Sequence, residues 1–393
     1  MSTIDTTTAD TTTAEATTAE ATTAEATSVD RTTAETAAAA TAVPEAVATG
    51  TRVFRWGERI RLPWRVRSGW VLAGLTALVL ALGLATLAWG PMGAGPTELL
   101  AALRGEAEAT TLFVLERLRG PRVLTAVGAG VALGLAGALF QCVTRNPLGS
   151  PDVIGLGAGA GAGVAVSTLW WPGVVPAPVG AVLGAGLAVA VVWWSTGMGF
   201  ASPARVIITG IGVFAMATAV THYVVAVALR DSAHDLAAYL VGSLGTRNMG
   251  HVLIIAVSMV VLIPLVFLVS RRLLLMDLGD ELAESLGARA TATRTWAILL
   301  AVLLAAAAVS VAGPVAFVAL TAPHIARKLT RAPGPNLTVS AAVGAFILVS
   351  ADLLVQQVPG LDGLPVGIVT AGAGGLYLGY LLLLEFRRTS GQV

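Results

Sequence analysis

Apolar runs of about twenty residues recur from Trp70 almost to the end of the chain, the length a helix needs to cross the hydrocarbon core of a bilayer. Ten are present, at 70–89, 121–143, 152–170, 174–194, 204–229, 250–270, 291–311, 312–330, 336–357 and 363–384. In lipid every backbone N–H and C=O needs an internal partner, so only helices or a closed barrel can span. Continuous runs without polar alternation select helices. The seventh and eighth runs are divided by Gly313-Pro314, because proline removes a donor and breaks the helix. Composition agrees with this reading. Only 12% of the 393 residues are charged, against about a quarter in a soluble domain. The 44 glycines suit helices that approach closely in lipid. The pattern predicts an all-α polytopic membrane protein with about ten transmembrane helices in a domain over 70–385.

The flanks differ from this body. Residues 1–50 repeat Thr-Thr-Ala-Glu-Ala and hold eight acids against one base, Arg31, leaving 15 acids and 23 bases for the rest. This tail has too few bulky apolar residues to offset the entropy of ordering its backbone, and disorder is expected. It has neither the basic start nor the apolar core of a secretory signal. Residues 51–69 interleave Arg52, Arg55, Arg59, Arg61, Arg65 and Arg67 with Phe54, Trp56 and Trp64. Directly before an apolar span, this reads as an anchor to lipid at the cytoplasmic face rather than as a nucleic-acid site. Residues 386–393 form a short polar end. With the amino terminus inside, 17 bases fall in inner segments and six in outer loops, so both termini are expected in the cytoplasm.

Several chemistries are excluded. A phosphate-cradling P-loop needs Gly-Lys-Ser/Thr, and the one lysine, Lys328, follows Ile325-Ala326-Arg327. Any ATP hydrolysis must therefore come from another chain. One cysteine, Cys142, allows neither an internal disulfide nor a Cys-rich metal site. The histidines, His222, His234, His251 and His324, have no metal-ligand spacing, and no cofactor or metal is expected. No Gly-x-Ser-x-Gly is present. Asp352 is the one carboxylate well inside a predicted span, so it is either a hydrogen-bonded packing residue or an ion relay. The run Gly155-x-Gly157-x-Gly159-x-Gly161-x-Gly163 does not fit a dinucleotide fingerprint and reads as tight packing or a bend.

Three patterns are more specific. Arg119-Gly120-Pro121-Arg122 leads into the second span, which ends in Arg145-Asn146-Pro147-Leu148-Gly149-Ser150-Pro151. Between the sixth and seventh spans lies Leu278-Gly279-Asp280-Glu281-Leu282-Ala283-Glu284-Ser285-Leu286-Gly287. Its acids open a short helix, where they complement the helix dipole, and Gly287 can close it in the left-handed conformation. Leu282 and Leu286 form a narrow apolar stripe. The third pattern, Ala322-Pro323-His324-Ile325-Ala326-Arg327, is followed by Asp352 and by Leu364-Pro365-Val366-Gly367. In this order, over about residues 70–385, they resemble the FecCD-type permease subunits of ABC importers for iron-siderophores, haem and cobalamin. The chain departs from that pattern at Gly120, where relatives usually have a branched apolar residue. It departs again at Gln356, where some carry arginine, and at Gly374-Gly375-Leu376, where they have Gly-Ala-Pro.

The resemblance implies a type II ABC importer permease that is not itself an enzyme and lies in a bacterial cytoplasmic membrane. It implies a second permease subunit, identical or not, two ATP-binding subunits inside and a substrate-binding protein outside. Gly279, Asp280, Glu281, Ala283, Glu284, Leu286 and Gly287 would couple to the ATPase, and Arg119 and Arg122 would dock the binding protein. Asn146, Pro147, Ser150, Pro151, Pro323, His324 and Asp352 would line the path or pack around it. The expected cargo is a ferric siderophore or similar chelate, with haem or cobalamin as the alternative. An ion-coupled secondary transporter using Asp352 is the reading from outside the family.

Overall fold

The computed structural model describes residues 51–56, 60–90, 93–197, 203–228, 240–276 and 279–390. The acidic tail of residues 1–50 lies outside them. The chain divides into two compact units, Met1–Arg67 and Ser68–Val393. In the first, β1 (Thr51–Trp56) and β2 (Ile60–Arg65) pair antiparallel, a hairpin not anticipated in the basic juxtamembrane segment.

The second unit is helical. Its elements are α1 (Val66–Ala88), α2 (Pro96–Arg104), α3 (Ala109–Phe113), α4 (Gly120–Thr144), α5 (Leu156–Trp170), α6 (Ala177–Ser195) and α7 (Pro203–Ala228). They continue with α8 (Met249–Met276), α9 (Asp280–Ser285), α10 (Ala290–Ala312), α11 (Val318–Thr330), α12 (Leu337–Gln357) and α13 (Val366–Ser390). Among the described residues, eight helical stretches are long and apolar enough to cross a membrane. The other two expected spans are shorter: α5 has 15 residues and α11 has 13. At 1.5 Å per residue these reach only about 20 Å. A 3₁₀ turn, Pro151–Ile154, takes the place of the first residues of one. The irregular stretch 313–317 takes the place of the first residues of the other.

The helix α4 is the centre of the body and packs against α8, α10, α11 and α12. It is nearly all buried because its neighbours come within backbone distance. Side chains added at Gly130 and Gly134 would strike the α12 backbone at Gly344–Ala345 and Ser340–Ala341. One at Gly137 would strike the Ala319 carbonyl of α11. That carbonyl belongs to the residue four before Pro323, which has no N–H to bond it. Proline on one helix and glycine on the other thus leave an open acceptor facing a bare backbone. The period-two glycine run of α5 has a related cause. Gly159 and Gly163 meet Gly184 and Gly180 of α6, while Gly157 faces Pro314 and Gly161 faces Leu240, so two sides of one helix need small residues.

The break at Gly313 satisfies its backbone against a second irregular stretch. The Ser243 N–H donates to the Ala312 carbonyl at 2.8 Å, and the Gly367 N–H donates to the Gly242 carbonyl at 3.0 Å. Non-helical backbone at this depth is tolerated because protein supplies the partners that lipid cannot.

This packing predicts opposite outcomes for two glycine substitutions. Gly137→Val should destabilise the detergent-solubilised protein by about 3 kcal/mol or prevent its folding, as overpacking does. Gly186→Ala, on α6 with nothing within 4 Å, should leave the melting temperature unchanged or raise it slightly. Thermal unfolding of the two variants beside the parent protein measures the difference.

Candidate functional site

Two clusters sit at opposite ends of α4. At its start the chain from Ala109 runs as one continuous helix through a π turn, Val114–Arg119, into α4. The Gly120 N–H bonds the Leu115 carbonyl, five residues back, and that carbonyl leaves no room for a Cβ at position 120. Gly120, an oddity in the motif, is therefore required by the widened turn. The turn sets Arg119 and Arg122 at the same end of the body.

Arg122 grips Asp352 of α12. Its Nε donates to both carboxylate oxygens at 2.9 and 3.0 Å, and its Nη2 donates to Oδ1 at 2.8 Å. Gln356, one turn on, donates to Oδ2 at 2.7 Å. Asp352 is 1% exposed, and this is the one ion pair among the described residues. The charge of Asp352 is matched by a guanidinium, and both of its oxygens accept hydrogen bonds. Gln356, standing where some relatives have arginine, completes this cluster. Arg119 instead caps α1. Its Nη1 donates to the Thr86 carbonyl at 2.7 Å and bonds the Trp89 carbonyl, which also accepts from Gln357 at 3.1 Å. These are carbonyls that a helix end leaves without partners. Both arginines thus hold helix ends together. Arg117 beside them is exposed.

The far end of α4 carries the second cluster. Arg145 closes α4 in the left-handed conformation, φ 49°, and donates to the Met276 carbonyl at the end of α8 at 2.9 Å. The next residues make a self-bonded turn. Asn146 accepts from the Leu148 N–H at 2.9 Å, and the Gly149 N–H returns to the Asn146 carbonyl at 3.0 Å. Ser150 caps the 3₁₀ turn, accepting from the Asp152 N–H at 3.4 Å and donating to its Oδ2 at 3.0 Å. Pro147 lies in the loop and Pro151 opens the 3₁₀ turn. Asn146, Ser150 and the two prolines are thus placed by turn formation.

The helix α9 follows α8 at this end. Gly279, φ 106°, precedes it. Its stop is a Schellman motif: the Ala288 N–H donates to the Ala283 carbonyl at 2.8 Å, and the Gly287 N–H donates to the Glu284 carbonyl at 3.0 Å, with Gly287 at φ 83°. Ala283 is fully buried and fixes the helix to the body. Leu282 and Leu286 are 57% and 55% exposed, with Glu281 and Glu284 exposed around them. The side chain of Asp280 lies outside the described residues.

On α11, Pro323 is buried and His324 stands edge-on to Tyr377 of α13, ring centroids 5.8 Å apart. Three residues to which the sequence assigns no role join these elements: Arg327 donates to Gln141 Oε1 at 2.8 Å, Gln141 donates to the Leu320 carbonyl at 2.9 Å, and Tyr377 meets His324. A buried glutamine in an apolar span was the available signal for the first two. Among the described residues no three of His, Cys, Asp and Glu converge on a metal position.

A family model, described as the FecCD transport family, matches residues 78–384. The chain is 36% identical over 293 residues to the ferric enterobactin transport system permease protein FepG of Escherichia coli (strain K12), covering 74% of this chain and 89% of that protein. It is 34% identical to the Fe(3+)-citrate import system permease protein YfmE of Bacillus subtilis (strain 168), covering 80% of this chain and 95% of that protein. In fold it is similar to an inward-facing putative metal-chelate type ABC transporter, with TM-score 0.69 and 24% identity over 80% of this chain and 99% of the other.

The pairing of Arg122 with Asp352 predicts strong non-additivity. Asp352→Asn alone should cost about 3 kcal/mol, because it leaves a guanidinium without its partner charge. Arg122→Met with Asp352→Leu should recover most of that loss. Chemical or thermal unfolding of Arg122→Met, Asp352→Leu and the double in detergent gives the coupling energy. A near-zero coupling would remove the pair from the stability of the body.

Proposed function

Because the chain belongs to the FecCD transport family, we propose that it is the permease subunit of an ATP-driven importer for a ferric siderophore or related ferric chelate. The relatives' names support the cargo class, since both carry iron held by an organic chelator. The chain contains no phosphate-binding loop, so two ATP-binding subunits supply the hydrolysis, and a second permease copy completes the path. The cargo crosses unmodified by alternating access.

One structural observation carries the reading: α9 offers two leucines and two glutamates to solvent from a helix too short and too charged to span. Such a surface fits a groove on a partner protein. We assign Gly279, Asp280, Glu281, Ala283, Glu284, Leu286 and Gly287 to that coupling, with Ala283 and the Gly287 stop holding the helix and the exposed side chains making the contact. The face at Arg119 and Arg122 receives the substrate-binding protein, with exposed Arg117 presenting a guanidinium suited to a carboxylate and the other two shaping that face. Asn146, Pro147, Ser150 and Pro151 shape the turn beside α9, while Pro323, His324 and Asp352 pack the helices around the path. With the positive-inside count, α9 and both termini face the cytoplasm.

Glu281→Arg with Glu284→Arg should reduce ATPase co-purification and uptake in vesicles by at least about tenfold, since charge reversal at a complementary contact costs several kcal/mol. The melting temperature should not change. Normal assembly and uptake would remove α9 from the interface. On the opposite face, Arg117→Glu should slow association of the binding protein with nanodisc-held permease and flatten its dependence on ionic strength. An unchanged rate and slope would overturn the docking assignment.

A further inference from the structure

We propose that the cavity between α5, α7 and the irregular stretch 313–317 is a subsite for the cargo, holding hydrogen-bond donors (amide N–H or hydroxyl) on one arm of the chelator. The inference rests on the reading of the chain as a ferric-chelate permease. The cavity encloses about 320 Å³, near the lower bound for a small-molecule site, so it takes one arm rather than a whole chelate. Phe214, Leu240 and Pro314 give it apolar walls, and Asp152, Thr218 and His222 give it polar ones. Local geometry carries these polar groups deep into the body. The 3₁₀ turn Pro151–Ile154 lies against the middle of α7, where a side chain added at Gly210 would strike the Val153 carbonyl. Asp152, which the sequence sets at the edge of a span, therefore stands at the depth of residues near 210. The break after α10 reaches the same cavity, with Gly157 of α5 facing Pro314.

Two features point to a ligand. An ionisable group at membrane depth is costly and marks a pathway unless packing uses it up. Asp152 is used only in part: Oδ2 accepts from Ser150 at 3.0 Å, and Oδ1 has no donor among the described residues. His222 is exposed although it lies within a helix long and apolar enough to span. Neither its ring nor the Thr218 hydroxyl bonds another described residue. The chemistry of the set then selects the ligand. Iron already enclosed by a chelator offers no open coordination position, so these groups meet the chelator's outer atoms. An ionised carboxylate only accepts hydrogen bonds, while threonine and histidine can accept or donate, so the set as a whole matches donors.

The test uses the complete importer in vesicles, the chain with its ATP-binding subunits and binding protein. The probes are a ferric catecholate and a ferric hydroxamate with backbone amides, beside ferric citrate, which is poor in donors. The amide-bearing chelates should be carried in preference to citrate. His222→Leu should lower their uptake roughly fivefold and Asp152→Leu at least about tenfold, as for loss of a neutral and a charged hydrogen bond. His222→Gln and Asp152→Asn, which keep an acceptor, should retain most of it. The His222 variants should melt with the parent, since the ring is exposed. Thr218→Cys in a Cys142→Ser chain leaves one thiol, at the cavity. A water-soluble methanethiosulfonate should label it, and the carried chelate should slow that labelling. Normal uptake by the leucine variants, or labelling that no carried chelate slows, would overturn the proposal. So would a preference for citrate, or uptake that a protonophore stops while ATP remains, which would make Asp152 an ion relay. Failure to carry any ferric chelate would overturn the importer reading itself, and this subsite with it.

Discussion

Helices in lipid gain no hydrophobic advantage by touching, since lipid tails are as apolar as leucine, so close contact must come from shape. In this protein the contact is backbone against backbone along α4. Glycines at 130, 134 and 137 let α12 and α11 approach to a distance that any side chain would forbid. The remaining geometry follows from that column. A helix held on several sides is a rigid strut, and its two ends carry the two clusters of polar residues. One end holds Arg122 against Asp352, and the other seats Arg145 on the last turn of α8. The neighbours of α9 are thus fixed to the same strut.

Two of the buried polar groups of this body are held in side-chain networks that tie helices together. Asp352 is closed off by Arg122 and Gln356, which leaves it no open valence for an ion. Gln141 links Arg327 to the α11 backbone. This pattern suits a transporter driven by a separate ATPase better than one that moves ions through its own carboxylates.

Much of this was legible in sequence, for local reasons. The apolar runs mark helices because lipid demands continuous apolar length, and among the described residues eight of those helices are long enough to cross. The Gly313-Pro314 break and the Gly287 stop are readable because proline and glycine act on their own residues. What could not be read depends on distance or on tertiary replacement of local bonds. Arg122 and Asp352 are 230 positions apart, and nothing in either segment names the other. The α11 span reads as full length because residues 312–317 are apolar, yet 313–317 are irregular backbone, with the Ala312 carbonyl before them bonded by Ser243. The segment 51–65 reads in sequence as a basic-aromatic lipid anchor without a strand, since its alternation is imperfect and Pro63 argues against one. Gly120 was an unexplained departure until the π turn supplied a carbonyl beneath it.

The ion pair also bears on how the protein is made. Arg122 enters the membrane with the second apolar run, and its counter-charge is not synthesised until the ninth. During that interval the arginine, near a helix end, can reach headgroups and water with its long side chain. Asp352 has a shorter reach and sits deeper in its run, where an isolated acid costs about 3 kcal/mol to insert. Insertion of α12 is therefore coupled to a site already waiting at the start of α4. A chain arrested before that helix would hold a charge and a glycine-lined groove open to lipid, a state that membrane quality control could recognise as unfinished.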